Sequence, residues 1–272
     1  MAPRLGIVAG SGSLPLRLIE NCRTAGRDIF VLAIEGAAEP ETVRGVPHGW
    51  CRIGAAGAGL ALLRENNVTE LILAGGIRRP SLLSLRPDRR AAKLFARIGY
   101  RALGDNGLLS AVVAELEHEG FRVIGADQLL GPEIAREGPL GAVLPNRHSV
   151  ADIEHGLRVA QTLGALDIGQ AVIVQQGLVL GVEAIEGTDE LIRRCAALRR
   201  QGPGGVLINI EKPGQEHRAD QPTIGIRTID LAVETGLLGI AVEADATIVL
   251  DRQEVIRAAD RAGLFVVGVR RS

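Results

Sequence analysis

The sequence predicts an α/β protein of two domains, the first Rossmann-like with a parallel sheet and the second α/β with a mixed sheet. Three observations predict it. Apolar strand-like runs alternate with helical apolar spacing through most of the 272 residues, which is the pattern of a sheet with crossover helices. A glycine-rich turn, Gly10 to Pro15, separates the first strand from the first helix. The alternation thins at Gly131-Pro132 and through Gly138 to Asn146, where glycine, proline and charge collect. We place the domain boundary there, giving residues 1–132 and 133–272.

In order, Leu5 to Ala9 reads as a buried strand and Leu14 to about Ala25 as a helix. Ile29 to Ile34 is a second strand, Leu60 to Glu65 is helical, and Glu70 to Ala74 is a third strand. Arg89 to Ile98 and Gly107 to Glu119 carry helical spacing, and Phe121 to Ile124 is a short fourth strand. The second half opens with a helix from about Val150 to Leu163. Gln170 to Gln175 and Leu178 to Glu183 are two β runs around Gly177, a hairpin pattern. Asp189 to Arg199 is helical and Val206 to Ile210 is a strand. Thr228 to Thr235 is helical, Ala246 to Leu250 a strand, Val255 to Ala262 a helix and Leu264 to Val269 the last strand.

Bulk numbers narrow the function. Apolar residues make up 46% of the chain and aromatics only 2%. The core must come from Leu, Ile, Val and Ala, and nucleic-acid stacking surfaces are disfavoured. The net charge of −1 gives no global field for a polyanion. Cys22, Cys51 and Cys195 are widely spaced and read as reduced thiols of a cytoplasmic protein. No signal-like h-region follows Met1, and no apolar run is long enough to span a membrane. The five histidines show no metal-ligand spacing. No nucleophile elbow is present.

The most informative stretch runs from Lys212 to Gly225: Lys212-Pro213-Gly214-Gln215-Glu216-His217-Arg218-Ala219-Asp220-Gln221-Pro222-Thr223-Ile224-Gly225. Proline and glycine exclude a helix or buried strand, so this is a long charged loop. Lys212, Arg218 and Asp220 suit a phosphate ester: two cations for the anion and one carboxylate for a metal or a water. Gly10-Ser11-Gly12-Ser13-Leu14-Pro15 places backbone N–H groups at a helix start, where they can cradle a phosphate or form only a tight βα turn. Ala74-Gly75-Gly76-Ile77-Arg78-Arg79-Pro80 follows a strand, and its arginines can grip a diphosphate. Asp105 or Asn106 reads as a helix N-cap, as does Thr188, and Asp251 with Glu254 reads as a capping box. Glu183, Glu186 and Asp189 form a candidate Mg²⁺ cluster.

These pieces together resemble the two-domain UDP-2,3-diacylglucosamine pyrophosphatases of lipid A biosynthesis, the type unrelated to metallophosphoesterases. The resemblance rests on the Lys212–Gly225 stretch, both glycine-rich turns, Gly104-Asp105, Asp167-Ile168-Gly169-Gln170, Glu186-Gly187-Thr188-Asp189 and Gly263-Leu264-Phe265, in that family's order. It departs at Asn106 for a second acid, Asn209 for Lys, Glu216 for Asp and Gln221 for Leu.

The resemblance implies hydrolysis of the substrate's pyrophosphate bond to UMP and 2,3-diacylglucosamine 1-phosphate, with the active site between the domains. Catalysis would fall to Asp220, Lys212 and Arg218. Substrate would be bound by Gly10, Gly12, Ser13, Gly75, Gly76, Ile77, Arg78, Asp105, Gln170, Thr188, Gln215 and Thr223. Mg²⁺ or Mn²⁺ would be held by Asp220, Glu186 and Asp189. A homodimer, cytoplasmic and peripheral to the inner membrane through its lipid substrate, is also implied. Two rivals stand beside this reading. One is an NAD(P)-binding oxidoreductase, motivated by the first turn and by Glu35, with Pro15 against it. The other is a catalytically weak UDP-sugar-binding relative.

Overall fold

The computed structural model describes residues 3–77, 87–98 and 105–271, without the side chains of 94, 95, 97, 98 and 105. The chain divides into two compact units. The first comprises residues 1–130 with Glu216–Asp220, and the second comprises Gly131–Gln215 with Gln221–Ser272.

The first unit is a five-stranded parallel sheet. Its strands are β1 (Leu5–Ala9), β2 (Ile29–Ile34), β3 (His48–Cys51), β4 (Glu70–Ala74) and β5 (Arg122–Val123). They lie in the order β3-β2-β1-β4-β5. Helices α1 (Leu14–Thr24), α2 (Ala56–Glu65), α3 (Arg89–Ile98) and α4 (Asp105–His118) connect them. β1 and β2 are apolar at nearly every position because a parallel sheet is covered on both faces. Glu70 is the exception, a buried carboxylate at the start of β4 that pairs with Arg27 and with Arg122 at 2.6 Å. Pro15 sits in the first turn of α1, where its missing N–H costs nothing.

The second unit holds β6 (Gly138–Pro139), α5 (Arg147–Ala165), β7 (Ala171–Gln175), β8 (Leu178–Val182), α6 (Thr188–Ala196) and β9 (Val206–Asn209). It continues with β10 (Thr223–Ile224), α7 (Ile226–Glu234), β11 (Gly239–Glu243), β12 (Ile248–Val249), α8 (Arg252–Ala262) and β13 (Phe265–Val269). Six strands form a mixed sheet in the order β6-β13-β11-β9-β7-β8, parallel from β13 through β9 and antiparallel beyond. β10 and β12 pair separately. Ile153 and Ala160 of α5 cover one face, packing on Val172, Val174, Val206 and Ile208. Residues of α6, α7 and α8, among them Leu191, Ile229 and Val255, cover Ile173, Leu207, Ile240 and Val266 on the other. Alternation along β7 and β9 thus feeds two separate cores.

The β7–β8 hairpin turns through Gln176 and Gly177, both with positive φ (54° and 76°). Two such residues make the turn whose twist matches paired strands. Buried Asp152 of α5 accepts from both turn N–H groups, at 2.9 and 2.6 Å.

Several local expectations are corrected. The strand Gly239–Glu243 lies near the centre of the second sheet and the edge strand His48–Cys51 in the first, and neither was anticipated. The strand expected over Ala246 to Leu250 shrinks to Ile248–Val249, because only that pair faces β10. Asp251 stands in a left-handed conformation (φ 53°) and makes no side-chain cap, so the expected capping box does not form. Gly187, not Thr188, occupies the N-cap of α6, its φ of 84° suiting glycine.

Candidate functional site

In the first sheet β1 and β4 are neighbours. From β1 the chain moves outward to β2 and β3, and from β4 it moves the other way to β5. Such a reversal point, at the carboxyl ends of the strands, is the ligand edge of an open α/β sheet. Both glycine-rich turns stand there. They are clipped together: the Ser11 N–H donates to the Gly76 carbonyl at 2.8 Å, the Gly76 N–H to the Ser11 carbonyl at 3.1 Å, and the Ser11 hydroxyl to the Gly76 carbonyl at 2.9 Å. Only glycine permits this approach. A Cβ on Gly10 would stand 2.5 Å from the Gly76 oxygen, and one on Gly75 (φ +83°) 2.3 Å from the Ser11 oxygen.

Gly12, Ser13 and Ile77 are exposed beside this clip, and the Ser13 hydroxyl takes no part in capping α1. These turns offer backbone donors and a helix start to an anion. Arg78 and Gly104 lie outside the described residues, and Asp105 opens α4 with its side chain outside them.

Glu216–Asp220 belongs to the same unit and is anchored on α4. The Glu216 N–H donates to Asn106 Oδ1 at 2.9 Å. Arg218 donates through Nε and a terminal nitrogen to both Glu216 oxygens, at 2.8 and 3.0 Å, and to Glu117 Oε1 at 2.6 Å. Ala219 packs against the apolar cluster of Phe30, Leu71, Val113 and Phe121. His217 Nε2 lies 3.9 Å from Asp127. The Arg218 guanidinium holds the Glu216 carboxyl below the usual carboxylate range, and Glu216 foremost keeps that guanidinium charged. The Asp220 N–H donates to the Glu216 carbonyl at 3.1 Å, closing a turn that presents the aspartate. Arg218 was expected to face an anion; here it engages two carboxylates. Neither Glu117 nor the role of Asn106 was expected, since the partners lie 101 and 110 residues from the loop.

The second unit collects polar groups where β9 ends and β7 begins. Lys212 is 7% exposed; its ammonium donates to Asp167 Oδ1 at 2.7 Å and its N–H to Gln215 Oε1 at 2.7 Å. The Ile210 N–H donates to the Gln170 carbonyl at 3.0 Å. The Gln170 N–H and the Thr188 hydroxyl both donate to buried Glu183, at 3.3 and 3.0 Å. Burial pushes the Glu183 carboxyl above the usual range, against those hydrogen bonds. The sequence-expected Gln170 and Thr188 are thereby brought together on Glu183. Asn209 ends β9 at 1% exposure, with Oδ1 lacking a hydrogen-bond partner. The Thr223 hydroxyl donates to the Gln221 carbonyl at 3.0 Å.

Two of the expected metal ligands, Glu186 and Asp189, lie in the second unit. Glu186 meets Arg194 at 2.8 Å and Asp189 meets Arg227 at 2.6 Å. Among the described residues, no three His, Cys, Asp or Glu side chains converge as a metal site. Glu186 and Asp189 each answer an arginine of the second unit.

Family models match both halves, an LpxI N-terminal domain over residues 4–132 and an LpxI C-terminal domain over 136–267. The chain belongs to the LpxI family. It is 42% identical over 273 residues to the UDP-2,3-diacylglucosamine pyrophosphatase LpxI of Caulobacter vibrioides, covering 98% of this chain and 97% of that one. Among solved structures, N5-carboxyaminoimidazole synthase of Aspergillus clavatus is 12% identical, with a TM-score of 0.25 over 72% of this chain and 44% of that one. A biotin carboxylase domain of a thermophilic 2-oxoglutarate carboxylase is also 12% identical, with a TM-score of 0.24 over 71% and 40%. Likenesses that low carry no argument. LpxI membership sets the oxidoreductase reading aside. No helix among the described residues is long and apolar enough to cross a membrane.

Proposed function

We propose that this chain hydrolyses the pyrophosphate bond of UDP-2,3-diacylglucosamine, giving UMP and 2,3-diacylglucosamine 1-phosphate in lipid A biosynthesis. The observation that carries the proposal is the 42% identity along 98% of the chain to an enzyme of that name. The clipped turns of Gly10–Ser13 and Gly75–Ile77 at the switch point support a nucleotide site, with Arg78 next in sequence after the second turn and Asp105 assigned to it by the family resemblance.

Asp220 orients or deprotonates the attacking water. Water attacks the phosphorus nearer the sugar, the bond to the bridging oxygen breaks, and UMP leaves with that oxygen. Lys212, held by Asp167, offsets the developing anion. Gln170, Thr188, Gln215 and Thr223 are assigned to the acyl-sugar portion. Mg²⁺ or Mn²⁺, when bound, would neutralise phosphoryl charge, with Asp220 the carboxylate to hold it; one carboxylate plus substrate phosphates is within what Mg²⁺ accepts. The lipid substrate places the protein at the inner-membrane surface on its cytoplasmic side, and the family resemblance suggests a homodimer.

The test is turnover of UDP-2,3-diacylglucosamine by wild type and Asp220→Ala with Mg²⁺ or Mn²⁺ in ¹⁸O-water. Wild type should release UMP and place the label in the sugar phosphate, and the variant should collapse. Tight binding without wild-type turnover would instead make the chain a binding relative.

A further inference from the structure

We infer that Asn106 and Glu117 of α4 are positioning residues that hold Asp220 through the Glu216–Arg218 segment, an inference that rests on the role proposed for Asp220. Asn106 Oδ1 receives the Glu216 N–H at 2.9 Å, and Glu117 receives Arg218 at 2.6 Å. Glu216 fills the remaining side of the guanidinium with both its oxygens. Arg218 is therefore a strap between its own loop and α4. Asp220 follows two residues later, and its N–H is tied back to the Glu216 carbonyl.

Both anchors are side chains of one helix, eleven positions apart, about three turns at 3.6 residues per turn. They grip the segment at two separated points, and two points fix direction as well as position. Toward the Glu216 N–H, Asn106 acts through its side-chain oxygen. Asparagine and aspartate supply it equally, while a leucine of similar size supplies none. A carboxylate early in a helix is also favoured by the helix dipole.

The experiment compares full-length Asn106→Leu, Asn106→Asp, Glu117→Ala and Asp220→Ala. Each is followed by turnover of UDP-2,3-diacylglucosamine and by hydrogen exchange of the peptide spanning the loop. Asn106→Leu and Glu117→Ala should each lower kcat about tenfold with KM within about twofold, the signature of a misplaced group. Exchange should quicken in residues 216–220 while the β1 and β4 amides stay protected. Asn106→Asp should restore kcat to within about threefold of wild type. Should Asn106→Leu not fold, Glu117→Ala carries the same expectation, because Glu117 is partly exposed at the surface.

Wild-type kcat and wild-type loop exchange in either anchor variant, with Asp220→Ala inactive, would overturn the inference and leave the proposed function standing. An active Asp220→Ala enzyme would remove that function's central residue and the inference with it.

Discussion

The clip between the two glycine-rich turns makes a graded prediction, because Gly10, Gly12 and Gly75 differ in what an added methyl would meet. At Gly12 φ is +90° with nothing within 4 Å, so Gly12→Ala adds backbone strain alone. That strain is about 1 kcal/mol. Gly10 has no positive φ, but its Cβ would lie 2.5 and 2.8 Å from two carbonyl oxygens. Gly10→Ala is therefore nearly pure overpacking, about 1–3 kcal/mol. Gly75 combines both, with φ +83° and a Cβ 2.3 Å from the Ser11 oxygen. The sum is about 3 kcal/mol, and relief needs a backbone shift of roughly 1 Å. In urea denaturation followed by circular dichroism, a slope near 2 kcal/mol/M turns this into a midpoint loss of about 1.5 M. The same shift, at the proposed nucleotide site, should lower turnover by up to about a hundredfold. The order of destabilisation must be Gly75→Ala, then Gly10→Ala, then Gly12→Ala. Equal losses for Gly75→Ala and Gly12→Ala would refute the reasoning, since the close approach would then cost nothing.

Other outcomes follow from single contacts. Asp152→Ala removes the acceptor of two hairpin N–H groups and should cost about 2–3 kcal/mol in urea unfolding, with Asp152→Asn in between. Lys212→Met, which keeps the buried stem and loses the ammonium, should lower kcat more than it raises KM, read by steady-state kinetics. Arg218 depresses the Glu216 carboxyl, so the stabilisation is complete above the ordinary carboxylate range near pH 4.3 and is lost as pH falls through the lower folded value. Loop protection in hydrogen exchange should therefore persist at pH 4.5 and fail only at stronger acid, a step that Glu216→Gln abolishes.

Much of the fold was legible because parallel strands covered on both faces appear as unbroken apolar runs. Leu5–Ala9, Ile29–Ile34 and residues 206–208 are such runs. Residues 239–242 are equally apolar, but they follow α7 closely and merge with Leu237 and Leu238 into one hydrophobic stretch. Gly236 (φ +70°) was the mark that separates helix from strand. His48–Cys51 could not be read, since an edge strand half exposed and containing glycine has neither alternation nor an apolar run. At the site, spacing identified the turns and the charged loop. It could not show which charges meet. Asn106 and Glu117 act on the loop across more than a hundred residues, and no local pattern encodes such a partner.

The polarity of that loop has a physical cause apart from chemistry. Fixing five residues costs roughly 5–10 kcal/mol of backbone entropy. Ala219 is the only apolar side chain in Glu216–Asp220, and burying one methyl returns about 1 kcal/mol. Apolar packing therefore cannot hold the segment. What remains is hydrogen bonding and charge: the Glu216 N–H on Asn106, the guanidinium shared by Glu216 and Glu117, and His217 beside Asp127. Lys212, Arg218 and Asp220 look like one catalytic cluster when read along the chain. In the structure Lys212 is fixed by Asp167 in the second unit, while Arg218 serves to hold the turn of the first unit that carries Asp220. Charges adjacent in sequence are thus held by different partners. This anchoring follows from burial: a loop with almost nothing apolar to bury must spend most of its polar groups on staying in place.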